Sequence, residues 1–362
     1  MGRGLHYTKV MRLERLDGLR TIAVGLVILL HHSYAPLGGV GVDLFFVLSG
    51  YLITGILRRS RDKDRFWGPF YLKRATRILP PVLLLIPIVF VLTRHGKVSS
   101  ALEYLFFLGG LDIIGKNSLP ILANLWSLAV EEHFYLLWPF AIRLLPRAKL
   151  KAILLAILIV EPILRLLAVR YAHNPSQVTY FLTPFRLDGL ALGSLLAVLL
   201  EDWQWEVRIK RWSPVLAMSA GALYAGLYLA FPARFNPDSN SALFCGFSYT
   251  IISLAMVGLI AYVLLHPEAL LSRVLSWRPI VWLGTISYGL YLFGGLIGTI
   301  MGKVLHTPSY PIPVALHHKM FFYDVPLIIL VSWISFKYYE HPITLWGKQK
   351  ADGNVRSETL PA

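Results

Sequence analysis

The sequence predicts an all-α protein, a polytopic membrane bundle of about ten spanning helices with one short re-entrant or interfacial segment. Three observations predict it. Hydrophobic residues make up 56% of the 362-residue chain and charged residues only 15%, against about 25% charged in an ordinary soluble domain; the mean hydropathy is +0.59. Ten apolar runs, at 17–34, 41–57, 78–93, 122–145, 151–169, 180–200, 213–231, 244–266, 281–304 and 319–339, approach the length that a bilayer demands, about 20 residues. Basic residues gather between alternate runs, the pattern that sets topology in membrane proteins.

The charges order the elements. Arg3, Lys9, Arg12 and Arg15 precede the first run, and Arg58, Arg59, Arg61, Lys63, Arg65, Lys73, Arg74 and Arg77 join the second to the third. Further clusters follow at Arg143 to Lys151, Arg208 to Arg211, Arg273 and Arg278, and in the tail at Lys348, Lys350 and Arg356. Placing all of them on the cytoplasmic face requires ten crossings with both termini inside. It also requires that an eleventh run, 101–115, which is shorter and carries Glu103 and Asp112, does not cross. The outward loops then include "APLGGVG", "FPARFNPDSN" and "KVLHTPSYPIPVALHH", punctuated by Pro, Gly and Asn.

One integral membrane domain over 1–345 and a flexible cytoplasmic tail over 346–362 are expected, in the inner or plasma membrane. No small-residue cleavage site follows the first apolar run, so no cleavable leader is expected. The net charge of +15 resides in these loops and predicts no nucleic-acid partner. The lone Cys245 excludes an intramolecular disulfide and a redox pair, and no metal site is predicted.

Ionisable groups inside apolar runs are costly and mark function by default. Arg20 and His31 are eleven positions apart, nearly on one helix face and separated by a rise of about 16 Å. Asp17 is placed to pair with Arg20. Two readings stand: Arg20 snorkelling to lipid phosphate with an interfacial His31, or one functional stripe. Asp43 opens the second run among apolar neighbours and suits the orienting of an imidazole. Ser49-Gly50 in mid-run suits close helix packing. Lys73, Arg74 and Arg77 read either as topology determinants or as a phosphate clamp. In "ANLWSLAVEEHFYLLWPF" (123–140), Ser127, Glu131 and Tyr135 share a face, and two adjacent glutamates within a span need a purpose. Arg186 and Asp188 read as a structural ion pair, and Ser287, Tyr288, Tyr291 and Glu340 as interfacial belts.

Four of these strings, "RLDGLRTIAVGLVILLHH", "GVDLFFVLSGYLIT", "FYLKRATRILP" and "LWSLAVEEHFYLLWP", resemble in order and content the acyltransferase 3 family of integral membrane acyltransferases. The resemblance runs from about 15 to 345 and covers nearly the whole chain. It implies a chain that moves an acyl group, usually acetyl, from cytoplasmic acyl-CoA to a hydroxyl of an extracytoplasmic or membrane-linked carbohydrate. The family's arginine and histidine fall on Arg20 and His31, its basic pair on Arg74 and Arg77, and its signature glutamate on Glu131, with Tyr135 following. Where members often read "YLWH", this chain reads "YLFG", so that histidine is replaced by Gly294; a common "ERP" is here "EHP".

Acyl transfer from a thioester to a hydroxyl needs a base, oxyanion donors and a means of holding both substrates. His31 is the expected general base, with Asp43 as its orienting partner and Glu131 as a further catalytic residue. Arg20, Arg74 and Arg77 are expected to bind acyl-CoA, and Ser49 and Tyr135 to line the substrate site. Acyl-CoA is a co-substrate here, and no permanently bound cofactor is expected. Two alternatives are a glycolipid or polysaccharide transporter without acyl chemistry, and a catalytically dead scaffold.

Overall fold

The computed structural model describes residues 2–34, 37–93, 98–115, 120–304 and 314–353. These are mainly helical, with no strand among the described residues. The long helices of the first half are α1 (Gly2–His31), α2 (Val40–Ser60) and α3 (Trp67–Thr93), then the short α4 (Val98–Leu105) and α5 (Gly109–Ile114), then α6 (Leu125–Leu144). Next come α7 (Arg147–Tyr171), the short α8 (Pro175–Phe181), α9 (Asp188–Leu199), α10 (Trp203–Ala230) and α11 (Ala242–Leu265). The last are α12 (Leu270–Leu275), α13 (Arg278–Thr285), α14 (Ser287–Val304), α15 (Val314–Ser335) and α16 (His341–Ala351).

Each predicted run is built on helix. Among the described residues six helical stretches are long and apolar enough to cross a bilayer, and the pair α13 and α14, bent by 64°, makes a seventh if taken as one span. The other three runs are α1 and α6, which carry ionisable residues, and α9, which is 12 residues long. The run 101–115 breaks into α4 and α5, of 8 and 6 residues, too short to span at 1.5 Å per residue. Leu102, Phe106, Leu108 and Leu111 are exposed along it, as an interfacial segment requires. Most of "KVLHTPSYPIPVALHH" and part of "APLGGVG" lie outside the described residues. Of the segment expected as a tail from 346, the part up to Ala351 is helical, α16 continuing from α15 through a π-helical turn at Phe336–Glu340 with Gly347 pressed onto Thr76 of α3; 354–362 lie outside the described residues.

The centre of the bundle is a seam between α2 and α9. A β-carbon at Gly50 would collide with the Leu190 carbonyl, and one at Gly193 with that of Val47, so small residues let the two backbones touch. Thr54 Oγ1 donates to Ser194 Oγ at 2.8 Å and accepts from Trp138 Nε1 of α6 at 2.8 Å. Beside the seam, Arg165 of α7 is fully buried. It donates to Asp188 at 3.1 Å, to Thr250 at 2.5 Å and to the Gly246 and Phe185 carbonyls. Glu161, one turn earlier, accepts from the Leu187 and Asp188 amides and so caps the start of α9.

The basic connections meet at one end. Arg58 forks onto Glu201 at 2.8 and 2.9 Å, and Arg147 lies 3.7 Å from the same carboxylate. Arg61 and Arg143 each donate to a carbonyl of the other's segment. Lys73 reaches Asp352. Exposed Trp203, Trp205, Trp212 and Trp346 stand at this end, with Lys151 and Arg208 over Trp205, Arg211 over Trp212 and Lys350 over Trp346, the arrangement of an aromatic belt at a membrane–water boundary. Leu155, Ile159, Ile163 and Leu167 of α7, and Val215, Met218, Leu223 and Leu229 of α10, face outward, as lipid-facing helices do.

Candidate active site

Five helices, joined by Lys348 of α16, enclose a cavity of about 450 Å³. Helical spacing positions each wall. On α2, Val42, Phe45, Ser49, Leu52, Ile53 and Ile56 form one stripe, and on α6 Ser127, Leu128, Glu131 and Tyr135 form another. Asp17 and Arg20 enter from α1, Arg74 and Arg77 from α3, and Ser287, Tyr288 and Tyr291 from α14.

Glu131 is the hub. Ser49 Oγ donates to its Oε1 at 2.8 Å, and Tyr135 OH to its Oε2 at 2.8 Å. Two hydroxyl donors from two helices therefore fix one carboxylate in a half-buried setting. The Arg74 guanidinium lies 5.3 Å from the centre of the Tyr135 ring, a cation–π contact that orients it. Arg20 is ion-paired to Asp17 one turn before it, and Arg77 is exposed into the cavity. Opposite, Asn124 Nδ2 donates to the Tyr291 carbonyl at 2.6 Å, Tyr291 OH donates to the Asn124 carbonyl at 3.1 Å, and Ser127 Oγ lies 2.7 Å from Tyr291 OH. Tyr288 OH donates to the Ile78 carbonyl at 2.9 Å, tying α14 to α3. The cavity thus carries cations from α1, α3 and α16, the hydroxyl and carboxylate cluster around Glu131, and apolar walls such as Val42, Phe46 and Leu125. Such a space can hold a phosphorylated carrier by its charged end while an uncharged arm runs inward.

Of the expected site residues, Arg20, Arg74, Arg77, Ser49, Glu131 and Tyr135 come together around this one cavity, whereas His31 and Asp43 are not among its lining residues. His31 is exposed at the end of α1. A β-carbon at Gly41 would lie 3.1 Å from Val27 Cγ2, so α1 meets α2 at the apolar end of the cavity. His31 is four residues beyond Val27, a rise of about 6 Å.

Asp43 has a different partner from the one expected. It accepts from Arg186 Nη2 at 2.8 Å, both side chains buried, because a guanidinium out of water needs a counter-charge. Arg186 is boxed by Tyr249 at 4.0 Å and by the Tyr180, Phe46 and Trp126 rings at 5.3, 5.5 and 5.6 Å. The expected pair of Arg186 with Asp188 is likewise replaced. Arg186 lies in the turn before α9 and reaches α2, while Asp188 opens α9 and meets Arg165 of α7.

Several site residues are not found by sequence reasoning. Ser287, Tyr288 and Tyr291 read as interfacial and instead line the cavity. Lys348 reads as tail and lines it too. His32, next to His31, is buried: its Nδ1 donates to the Ile28 carbonyl at 2.8 Å, and its Nε2 meets Asp324 Oδ2 of α15 at 3.1 Å. Asp324 and the Glu161–Arg165 pair are ionisable groups inside apolar runs, the signal applied elsewhere along the chain.

The profile of a family described as an acyltransferase domain matches residues 13–336. Among curated relatives, the peptidoglycan O-acetyltransferase OatA of Listeria monocytogenes is 32% identical over 353 residues, covering 91% of this chain and 55% of that protein. The O-acetyltransferase OatA of Staphylococcus aureus is 31% identical over 360 residues, covering 91% of this chain and 57% of that protein. The chain thus spans a little over half the length of these relatives. No solved structure matches it.

Proposed function

Because the chain belongs to the acyltransferase-domain family, we propose that it is a membrane O-acyltransferase that moves an acyl group, acetyl by preference, from acyl-CoA to a hydroxyl of an envelope carbohydrate such as peptidoglycan. The observation that carries the reading is the convergence of Arg20, Arg74 and Arg77 with Glu131, Tyr135 and Ser49 on one cavity that also has apolar walls.

In this reading the basic end faces the cytoplasm. The CoA phosphates rest on the arginines, whose planar forks match phosphate oxygens, and the uncharged arm carries the thioester inward. The acceptor hydroxyl attacks the thioester carbonyl, His31 takes its proton, and the thiolate leaves and is protonated in turn. Of the two adjacent histidines only His31 suits this role, since His32 has both ring nitrogens engaged. Glu131 holds Ser49 and Tyr135 in place. One observation favours the exchange of these roles: Glu131 lines the cavity and His31 does not.

The test is transfer of labelled acetyl from acetyl-CoA into envelope glycan, in membranes carrying wild type, His31→Ala or Glu131→Gln at matched protein levels. Loss of a general base lowers the rate by about 10²–10⁴-fold. A loss of that size confined to His31→Ala supports the assignment, and one confined to Glu131→Gln moves the base into the cavity. No labelling by wild type in any glycan-bearing membrane removes acetyl-CoA as donor and turns attention to a transporter.

A further inference from the structure

A second, smaller pocket lies on the same helix faces as the cavity and nearer the basic end. It encloses about 230 Å³ and is lined by residues that include Ile56, Ser60 and Lys63 of the α2 side, Phe70 and Lys73 of α3, and Asp352 after α16. Ile56 belongs to both spaces. On α2 the stripe Ser49, Leu52, Ile53, Ile56 continues to Ser60 at spacings of three and four, and Lys63 follows in the turn after the helix; on α3, Phe70 and Lys73 continue to Arg74 and Arg77 in the same way. The two spaces are therefore stacked along one groove between α2 and α3.

We propose that this pocket holds the phosphate-bearing nucleoside end of the acyl-CoA donor, with Lys63, Arg65 and Lys73 as its cations and Asp352 as a competing anion. The inference rests on the donor assigned above. Acyl-CoA carries a diphosphate next to its pantetheine arm and a separate phosphate on its ribose, so it needs two cationic places in sequence along its length. The cavity arginines supply the one nearer the thioester. Lys63, Arg65 and Lys73 supply the other, three cations against the single lining acid Asp352; the loop acids Asp62 and Asp64 are not among the lining residues. Phe66 and Phe70 give an apolar wall for a base. Lys73 Nζ already holds an anionic oxygen, the Asp352 carboxylate at 2.5 Å, so the position accepts one. An anionic lipid headgroup presents the same phosphate chemistry, and the test separates the two sources.

The test is binding of CoA and of dephospho-CoA, which lacks only the ribose phosphate, to the full chain in nanodiscs of uncharged lipid. Wild type is expected to bind CoA about tenfold more tightly, the worth of one charge-assisted contact. Lys63→Ala with Arg65→Ala removes that preference, while Asp352→Asn enlarges it. A general structural defect weakens both ligands equally. Equal affinity of wild type for both ligands overturns the proposal, as does a preference that survives the double substitution. So does a Lys63 and Arg65 dependence seen only with anionic lipid, which assigns the pocket to a headgroup. A chain that shows the preference yet transfers no acetyl keeps the pocket and loses the acyltransferase reading.

Discussion

At the scale of single residues, the bundle separates charges that bind from charges that hold. Arg20, Arg74 and Arg77 face a cavity. Arg165 and Arg186 have no exposed surface: Arg165 is held by Asp188, Thr250 and two carbonyls, and Arg186 by Asp43 and the rings around it. Removing one member of a buried pair strands the other, at about 3–5 kcal/mol. Asp43→Asn is therefore expected to lower the thermal unfolding temperature of the purified protein strongly, and Asp43→Asn with Arg186→Met to recover some of the loss. If Asp43→Asn abolishes transfer with an unchanged melting profile, Asp43 acts in the chemistry after all. Sequence spacing cannot distinguish these classes. Arg186 and Asp188 are two positions apart and look paired, yet the turn before α9 sends them to different helices. Glu131, Ser49 and Tyr135 were legible because the first and last share a helix face and each is polar within an apolar run. The partner that joins Glu131 to Ser49 is 82 positions away, and no local pattern encodes it.

At the scale of elements, glycine positions show which helices touch. Gly193→Leu places a branched side chain where the Val47 carbonyl already sits. Its expected outcome is loss of folded protein, measured by size-exclusion chromatography in mild detergent. Gly294→His is the contrasting case. A β-carbon at Gly294 would meet nothing within 4 Å beyond its chain neighbours and its own helix backbone, so the substitution is expected to leave the melting profile unchanged. A large destabilisation there would mean that α14 packs differently. The ten apolar runs were legible as helices because hydropathy and length are local properties. The identity of α16 was not. Its sequence is polar, and its order comes from Gly347 lying against Thr76 and from Thr344 Oγ1 donating to the Thr76 carbonyl, contacts made with a segment far away in the chain.

At the scale of the whole molecule, the basic end and the aromatic ring around it predict topology. Single cysteines introduced at Arg65, Arg208 and Lys348 are expected to react with a membrane-impermeant maleimide only from the cytoplasmic side, and one at Asp238 only from the other; Cys245, with no exposed surface, stays silent in the folded state. Labelling of the Lys348 and Asp238 positions from the same side would contradict the ten-crossing arrangement.

The seam between α2 and α9 has a mechanical consequence. A carrier that alternates its access must swing the two halves of its bundle apart about a central plane. Here backbone rests on backbone across that plane, and Thr54, Ser194 and Trp138 pin it from the side. On the acyltransferase reading proposed above, the donor's arm moves and these two helices stay together. Turnover should then be nearly indifferent to the stiffness and thickness of the surrounding lipid, where a rocking machine would slow.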